Sequence, residues 1–240
     1  HYCGSTYPRP MTCEACGSSN WQERNFGTER IEEELQALLP DARVARMDVD
    51  TVRGKTAHDT LIQTFEQGKL DILVGTQMVV KGLDFDHVSL VGILDADGLL
   101  GFADFRVNER AFQLMEQVSG RAGRKGAQGR VMVQTSNPGH PVLGFVREHD
   151  YTGFFDMEIA TRRHFHYPPF TRLISLIFRH RERATAEASA AMAARALAQA
   201  FPEAILGPAE PVIARIRNQY RMEIILKLPR DARSLALARH

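Results

Sequence analysis

Two short apolar runs, "DILVGT" at 71–76 and "VSLVGILDAD" at 88–97, constrain this chain more than any other feature. Both are of the buried-strand type, rich in Val, Ile and Leu and closed by small or polar residues. Helix-like stretches lie around them. In "GTERIEEELQALLP", Ile31, Leu35, Leu38 and Leu39 form an apolar stripe, with Thr28 as the cap and Pro40 as the stop. "AHDTLIQTFEQG" reads as a second helix closed by Gly68, and "VNERAFQLMEQVSGRA" as a third. Shorter strands are expected in "RVARMDVDT" and "GRVMVQTS". Strands alternating with helices at this spacing predict an α/β fold with a parallel sheet flanked by helices.

From Pro138 the pattern changes. Two linked helices are expected in "HPVLGFVREHDYTGFFDMEIATRRHF", and "HYPPF" breaks them. A strand ("TRLISLIFRH"), an alanine-rich helix ("RATAEASAAMAARALAQA", its Ala, Leu and Met stripe facing a core) and an alternating strand ("YRMEIILKLP") follow. That order suggests a small α+β domain beginning near Tyr167. Charge shifts at the same place. Residues 171–240 hold 12 Lys/Arg against 6 Asp/Glu, whereas the first 170 hold 18 against 23. A basic C-terminal third favours a polyanionic partner. No run approaches the roughly 20 apolar residues of a membrane span, so no membrane partner is expected.

All three cysteines, Cys3, Cys13 and Cys16, fall in the first 16 residues. Cys-x2-Cys followed by Gly, in "CEACGS", is half of a zinc knuckle, with Cys3 as a third ligand; ordinary free cysteines are the alternative. The expectation is a motif whose fourth ligand lies upstream of His1.

"RGKT" at 53–56 imitates the end of a phosphate-binding P-loop and fails the test. That loop needs Gly five residues before the Gly-Lys pair, where this chain has Val49. No Asp-Glu pair closes an apolar strand either. What remains are segments that complete a nucleotide site. "GTQMVVKGLDF" sets Gly75 and Thr76 at the C-terminal end of a strand, where α/β ligand sites form, with Lys81, Gly82 and Asp84 in the loop beyond. "QVSGRAGR" sets Arg121 and Arg124 three apart after a helix, suited to charge on a γ-phosphate held by another domain. Asp95 and Asp97 follow a strand and read as structural loop carboxylates rather than metal ligands.

"GTQMVVKGLDF" resembles motif V, and "QVSGRAGR" motif VI, of superfamily 2 helicases. Together with "ARMDVDT", "HYPPF" and "RIRNQYR", these segments resemble the replication-restart helicases, the primosomal protein N′ family. The resemblance implies three parts: the end of a cysteine-rich zinc-binding region (1–23), the second RecA-like helicase lobe (24–166) and a small, incomplete α+β DNA-binding domain (167–240). It implies an ATP-dependent 3′→5′ DNA helicase acting at stalled forks and initiating primosome assembly, inactive without the lobe that carries the P-loop. Gln117, Arg121 and Arg124 would face the γ-phosphate, with Arg124 as arginine finger. Gly75, Thr76 and Gln77, with Lys81 and Gly82, would couple nucleotide state to DNA, and Asp84 would approach the ribose. Cys3, Cys13 and Cys16 would bind Zn2+. Arg215, Arg217, Asn218 and Arg221 would help bind DNA, "RIRNQYR" as a plain basic hairpin being the alternative. The implied cofactors are Zn2+, ATP and Mg2+. Implied partners are single-stranded and forked DNA, single-strand-binding protein and primosome proteins, at a cytoplasmic, nucleoid-associated location. A non-catalytic nucleic-acid-binding scaffold derived from a helicase is the competing expectation.

Overall fold

The computed structural model describes residues 11–12, 17–19, 27–48, 55–76, 88–102, 104–120 and 129–231. The chain divides into two compact units between Tyr151 and Thr152, one helix earlier than the proline pair suggested.

The first unit is α/β. It runs α1 (Thr28–Leu38), β1 (Val44–Met47), α2 (Lys55–Glu66), β2 (Ile72–Gly75), β3 (Leu90–Ile93), α3 (Ala96–Leu100), α4 (Val107–Ser119), β4 (Arg130–Val133) and α5 (Pro141–Glu148). The strands pair in parallel as expected, β1 with β2 and β3 with β4. They form two separate two-stranded sheets among the described residues, rather than one continuous sheet. Nor is β3 covered on both faces: its burial alternates, leaving Leu90 exposed, and β4 alternates likewise. Val91, Ile93, Val131 and Val133 are the half-buried set, so this pair has the period-2 signature of a sheet with one covered face.

Local chemistry sets the element ends. At the end of α2, Gly68 takes a left-handed φ of 67°. Its N–H donates to Phe65 O at 3.0 Å, and that of Lys69 donates to Thr64 O at 3.1 Å. This pair of bonds satisfies orphan carbonyls and stops the helix where the sequence indicated. Ahead of the paired strands β1 and β2, Arg43 grips Asp71 through Nε (2.8 Å) and Nη2 (2.7 Å), and its own N–H donates to the same carboxylate at 2.8 Å. Those bonds hold the Asp71 carboxyl well below the usual carboxylate range. Met47, fully buried, and Ile62 then form a small core with Leu61, Phe65, Leu73 and Val88.

Two expectations for α1 change. Thr28 is its first helical residue rather than its cap, Gly27 holding the cap position. The Thr28 hydroxyl instead donates to Asp48 Oδ2 at 2.7 Å, tying the helix start to the end of β1. Leu38 and Leu39 are not part of a buried stripe, Leu38 being 76% exposed. Ile31 and Leu35 carry what apolar contact the helix has.

The second unit contains α6 (Tyr151–His164), β5 (Thr171–His180), α7 (Arg183–Ala200), β6 (Ile205–Ala209), β7 (Arg215–Ile216) and β8 (Gln219–Pro229). Its sheet is antiparallel in the order β5-β8-β6, and β7 forms a short hairpin with β8. The helix α7 lies over one face, burying Ala186 and Ala190. Ile224, Leu226 and Leu228 of β8 point into the core, and Phe201, Ile174 and Leu176 pack on Leu226 and Leu228. Met192, expected in the core-facing stripe, is 71% exposed. Residues of the opposite parity, including Ser175, Ile177 and Arg179 of β5, lie on the other face.

Candidate functional site

Two places in the described residues carry site chemistry, one in each unit. In the first unit the C-terminal ends of β1 and β2 lie side by side, with Met47 opposite Gly75. Gly75 and Thr76 are exposed at that end, the edge at which parallel sheets bind ligands. Asp48, just past β1, is buried and internally occupied. It accepts the Thr28 hydroxyl and pairs with Arg46 Nη1 at 3.2 Å. Gln117 sits in the last turn of α4 and is exposed. Burial of Ala111, Phe112 and Met115 fixes the opposite side of that helix. The Phe112 ring lies 6.2 Å from the Tyr151 ring, and Glu116 pairs with His149 Nδ1 at 3.0 Å. The helix stops at Gly120, whose N–H donates to Glu116 O at 3.0 Å. Gln77, Lys81, Gly82, Asp84, Arg121 and Arg124 lie outside the described residues, as do Cys3, Cys13 and Cys16.

Asp95 and Asp97 serve the scaffold. Asp95 caps α3, accepting the Gly98 N–H at 3.3 Å. Asp97 accepts the Thr135 hydroxyl (2.6 Å) on one oxygen, and the Ser136 N–H (2.8 Å) and hydroxyl (2.6 Å) on the other.

In the second unit, "RIRNQYR" is the β7–β8 hairpin. Ile216 pairs with Gln219, so Arg217 and Asn218 are its two turn residues, with φ of 48° and 61°. Two consecutive positive φ values are the mark of a type I′ turn, which matches strand twist. Asn favours such a conformation; Arg does not. The four arginine and asparagine candidates have different surroundings. Arg215 stacks over the Tyr220 ring at 4.9 Å and donates to the Asn218 side chain. Arg221 donates from Nη1 to Ile213 O at 3.2 Å. Arg217 stands exposed at the tip.

Two basic residues escaped the motif-based reading. Arg179, next to last in β5, lies directly across from Arg221, and Arg181 is the first residue past the strand, in the turn before α7. The signal was present in "FRHRERATA", where alternation carries a basic residue past the end of a strand. Toward the other end of the sheet, Lys227 is half-buried and already engaged. Its Nζ lies 3.9 Å from the centre of the Tyr167 ring and donates to Phe165 O at 2.8 Å, and burial lowers its pKa.

Residues 21–126 match the family described as the helicase conserved C-terminal domain. Residues 163–240 match the primosomal protein N C-terminal domain. Over 239 residues the chain is 45% identical to the replication restart protein PriA of Bacillus subtilis, covering 99% of this chain and 30% of that protein. The PriA proteins of Treponema pallidum and Synechocystis are 44% and 42% identical, over 95% of this chain and 35% and 28% of theirs. The chain belongs to the PriA family of replication restart proteins, and spans about a third of the length of these relatives.

Proposed function

We propose that this chain forms the C-terminal part of an ATP-dependent 3′→5′ DNA helicase that acts at stalled replication forks and initiates primosome assembly. The observation that carries the reading is the match to restart proteins along almost the whole chain, at 42–45% identity in three of them. In this reading residues 24–166 are the second RecA-like lobe, and the nucleotide lies against it, held by a P-loop elsewhere in the protein. ATP with Mg2+ supplies the phosphoryl group whose hydrolysis drives the cycle. Gln117, Arg121 and Arg124 face that group from the end of α4, and Arg124 stabilises the charge that develops on it. Gly75 and Thr76, at the end of β2, pass the state of the site to bound DNA through Gln77, Lys81 and Gly82. Asp84 takes the ribose side. Cys3, Cys13 and Cys16 contribute thiolates to a structural Zn2+ site. Single-strand-binding protein and primosome proteins are its expected partners.

The test is DNA-stimulated ATP hydrolysis by the full-length protein, wild type against Arg124→Ala. A fall of about 10³-fold or more in turnover, with DNA affinity kept, is the expectation for an arginine finger. Unchanged turnover would remove the central support of the reading. A second measurement is nucleotide affinity of the 240-residue chain alone. Arginine fingers without a P-loop make few ground-state contacts, so weak binding is expected, and tight ATP binding by calorimetry would contradict the assignment.

A further inference from the structure

We infer that the end of the second unit's sheet, where β5 finishes and the β7–β8 hairpin turns, is a phosphate-binding rim for a DNA strand, made by Arg179, Arg181 and Arg217. The choice of DNA as the polyanion rests on the function proposed above. The choice of residues rests on the structure.

Strand register brings the three together. Arg179 pairs with Arg221 and His180 with Tyr220, so position 181 falls beside the start of β8, next to the Arg217–Asn218 turn. Neighbouring strands lie about 5 Å apart, so the three side chains leave one edge of the sheet within about two strand spacings. All three residues are exposed, and among the described residues none has an ion pair. Nearby basic groups are already occupied. Arg183 is held by Glu187 at 2.8 Å and by Glu210 at 2.9 Å. Arg215 is stacked on Tyr220, and Arg221 is tied to the backbone of Ile213.

The local charge is also under-compensated. The Nε atoms of Arg215 and Arg221 are buried with no hydrogen-bond partner among the described residues. Of the adjacent acids, Glu182 accepts the Thr185 hydroxyl at 3.0 Å, Glu210 is paired to Arg183, and Glu223 accepts the Ser175 hydroxyl at 2.5 Å. A site with buried, unsatisfied guanidinium groups gains from an anion arriving beside it. The turn adds a separate argument. Arg217 holds a φ of 48°, where Asn or Gly is preferred. Strain at an exposed tip points to what its side chain presents rather than to what it supports. Arg215 and Arg221 therefore act as braces that hold the hairpin rigid, and the unpaired arginines make the contacts.

The experiment is binding of a labelled single-stranded oligonucleotide to the 240-residue chain across a salt series, read by fluorescence anisotropy. Each phosphate contact on a single strand contributes about −0.7 to the slope of log K against log salt. Arg179→Ala/Arg181→Ala/Arg217→Ala should bind at least tenfold more weakly and lose about two from that slope. Arg195→Ala, exposed on α7, should match wild type. Arg217→Asn should weaken DNA binding while keeping or raising the thermal midpoint, a combination that a structural role for Arg217 does not produce. Wild-type affinity and slope in the triple variant would overturn the rim. Displacement of the oligonucleotide by millimolar inorganic phosphate at constant ionic strength would mark a free-anion site and overturn the assignment to a strand. Absence of any salt-dependent DNA binding by the wild-type chain would overturn it as well. That last result leaves the helicase reading to be judged separately by the Arg124→Ala ATPase measurement.

Discussion

Asp97 offers a direct way to separate a scaffold carboxylate from a metal ligand, because the two roles respond differently to substitution. Its oxygens accept hydrogen bonds from the Thr135 hydroxyl and from the N–H and hydroxyl of Ser136. Thr135 and Ser136 lie just past β4, and Asp97 lies in α3 just past β3, so one side chain fastens the ends of two paired strands. Hydrogen bonds to a charged group contribute about 1.5–3 kcal/mol each when shielded. Ser136 is exposed, which discounts its two bonds. Asp97→Ala should therefore cost about 2–4 kcal/mol in all. Asp97→Asn should recover part of that, since one carbonyl oxygen still accepts while the new amide opposes a donor. The assay is urea unfolding followed by circular dichroism, with the m-value checked to confirm that the reference state is unchanged. A loss below about 0.5 kcal/mol would mean that the carboxylate holds nothing of consequence. A chelator that destabilises wild-type protein but leaves Asp97→Ala unchanged would refute the hydrogen-bond account and make Asp97 a ligand.

Two other perturbations test the fold on which the candidate sites stand. Gly207 has a φ of 99°, and a Cβ there would lie 2.6 Å from Glu223 O in the central strand β8. Gly207→Ala should destabilise the second unit by at least about 2 kcal/mol, and a thermal midpoint equal to wild type would contradict the bulged path of β6. Arg43→Ala should return the Asp71 carboxyl to the ordinary carboxylate range, where wild type holds it below. A depressed folded-state pKa contributes stability that is present above the unfolded value of about 3.9 and is lost as pH falls through the folded one. The advantage of wild type over Arg43→Ala should thus be full at neutral pH and shrink on acidification below about 4. Carboxyl carbon NMR across that range reads it directly, and an unshifted Asp71 in both proteins would refute the pairing.

What the sequence disclosed and what it hid follow from the range of the interactions involved. Gly68 was legible because one residue both ends the helix and supplies the left-handed conformation that its carbonyls need. The long strands β5 and β8 were legible because their alternation repeats over ten or more residues. Thr28 was misread as a cap because a threonine before an apolar run fits a local capping rule. Its actual partner, Asp48, is 20 residues away. The exposure of Leu38 and Met192 escaped for the same reason: periodicity tells which residues share a face, not whether anything covers that face. Conversely, Gly75, Thr76 and Gln117 could be singled out from motifs alone, and the structure places them at a strand end and a helix end respectively.

The arginines of the second unit show why residue type is a weaker guide to binding than partnership. Arg215, Arg217 and Arg221 are equivalent in the string "RIRNQYR", and all three answer the description of a basic patch. Register separates them. Arg215 falls opposite Tyr220 and stacks on its ring, and Arg221 lies within reach of a free carbonyl, so each is fixed by the protein itself. Arg217 is one of the two residues at which the hairpin turns, and no internal group meets it among the described residues. Arg179 joins it because β5, the antiparallel neighbour of β8, ends at the same edge. An arginine already bonded within the fold adds little to a new contact beyond its field, since moving it would break the bonds it makes and uncover buried groups. A free guanidinium still has five donors to offer a phosphate. Ranking basic side chains by what they already touch therefore predicts a phosphate-contact set that composition cannot, and places Arg179 and Arg181 ahead of Arg215 and Arg221.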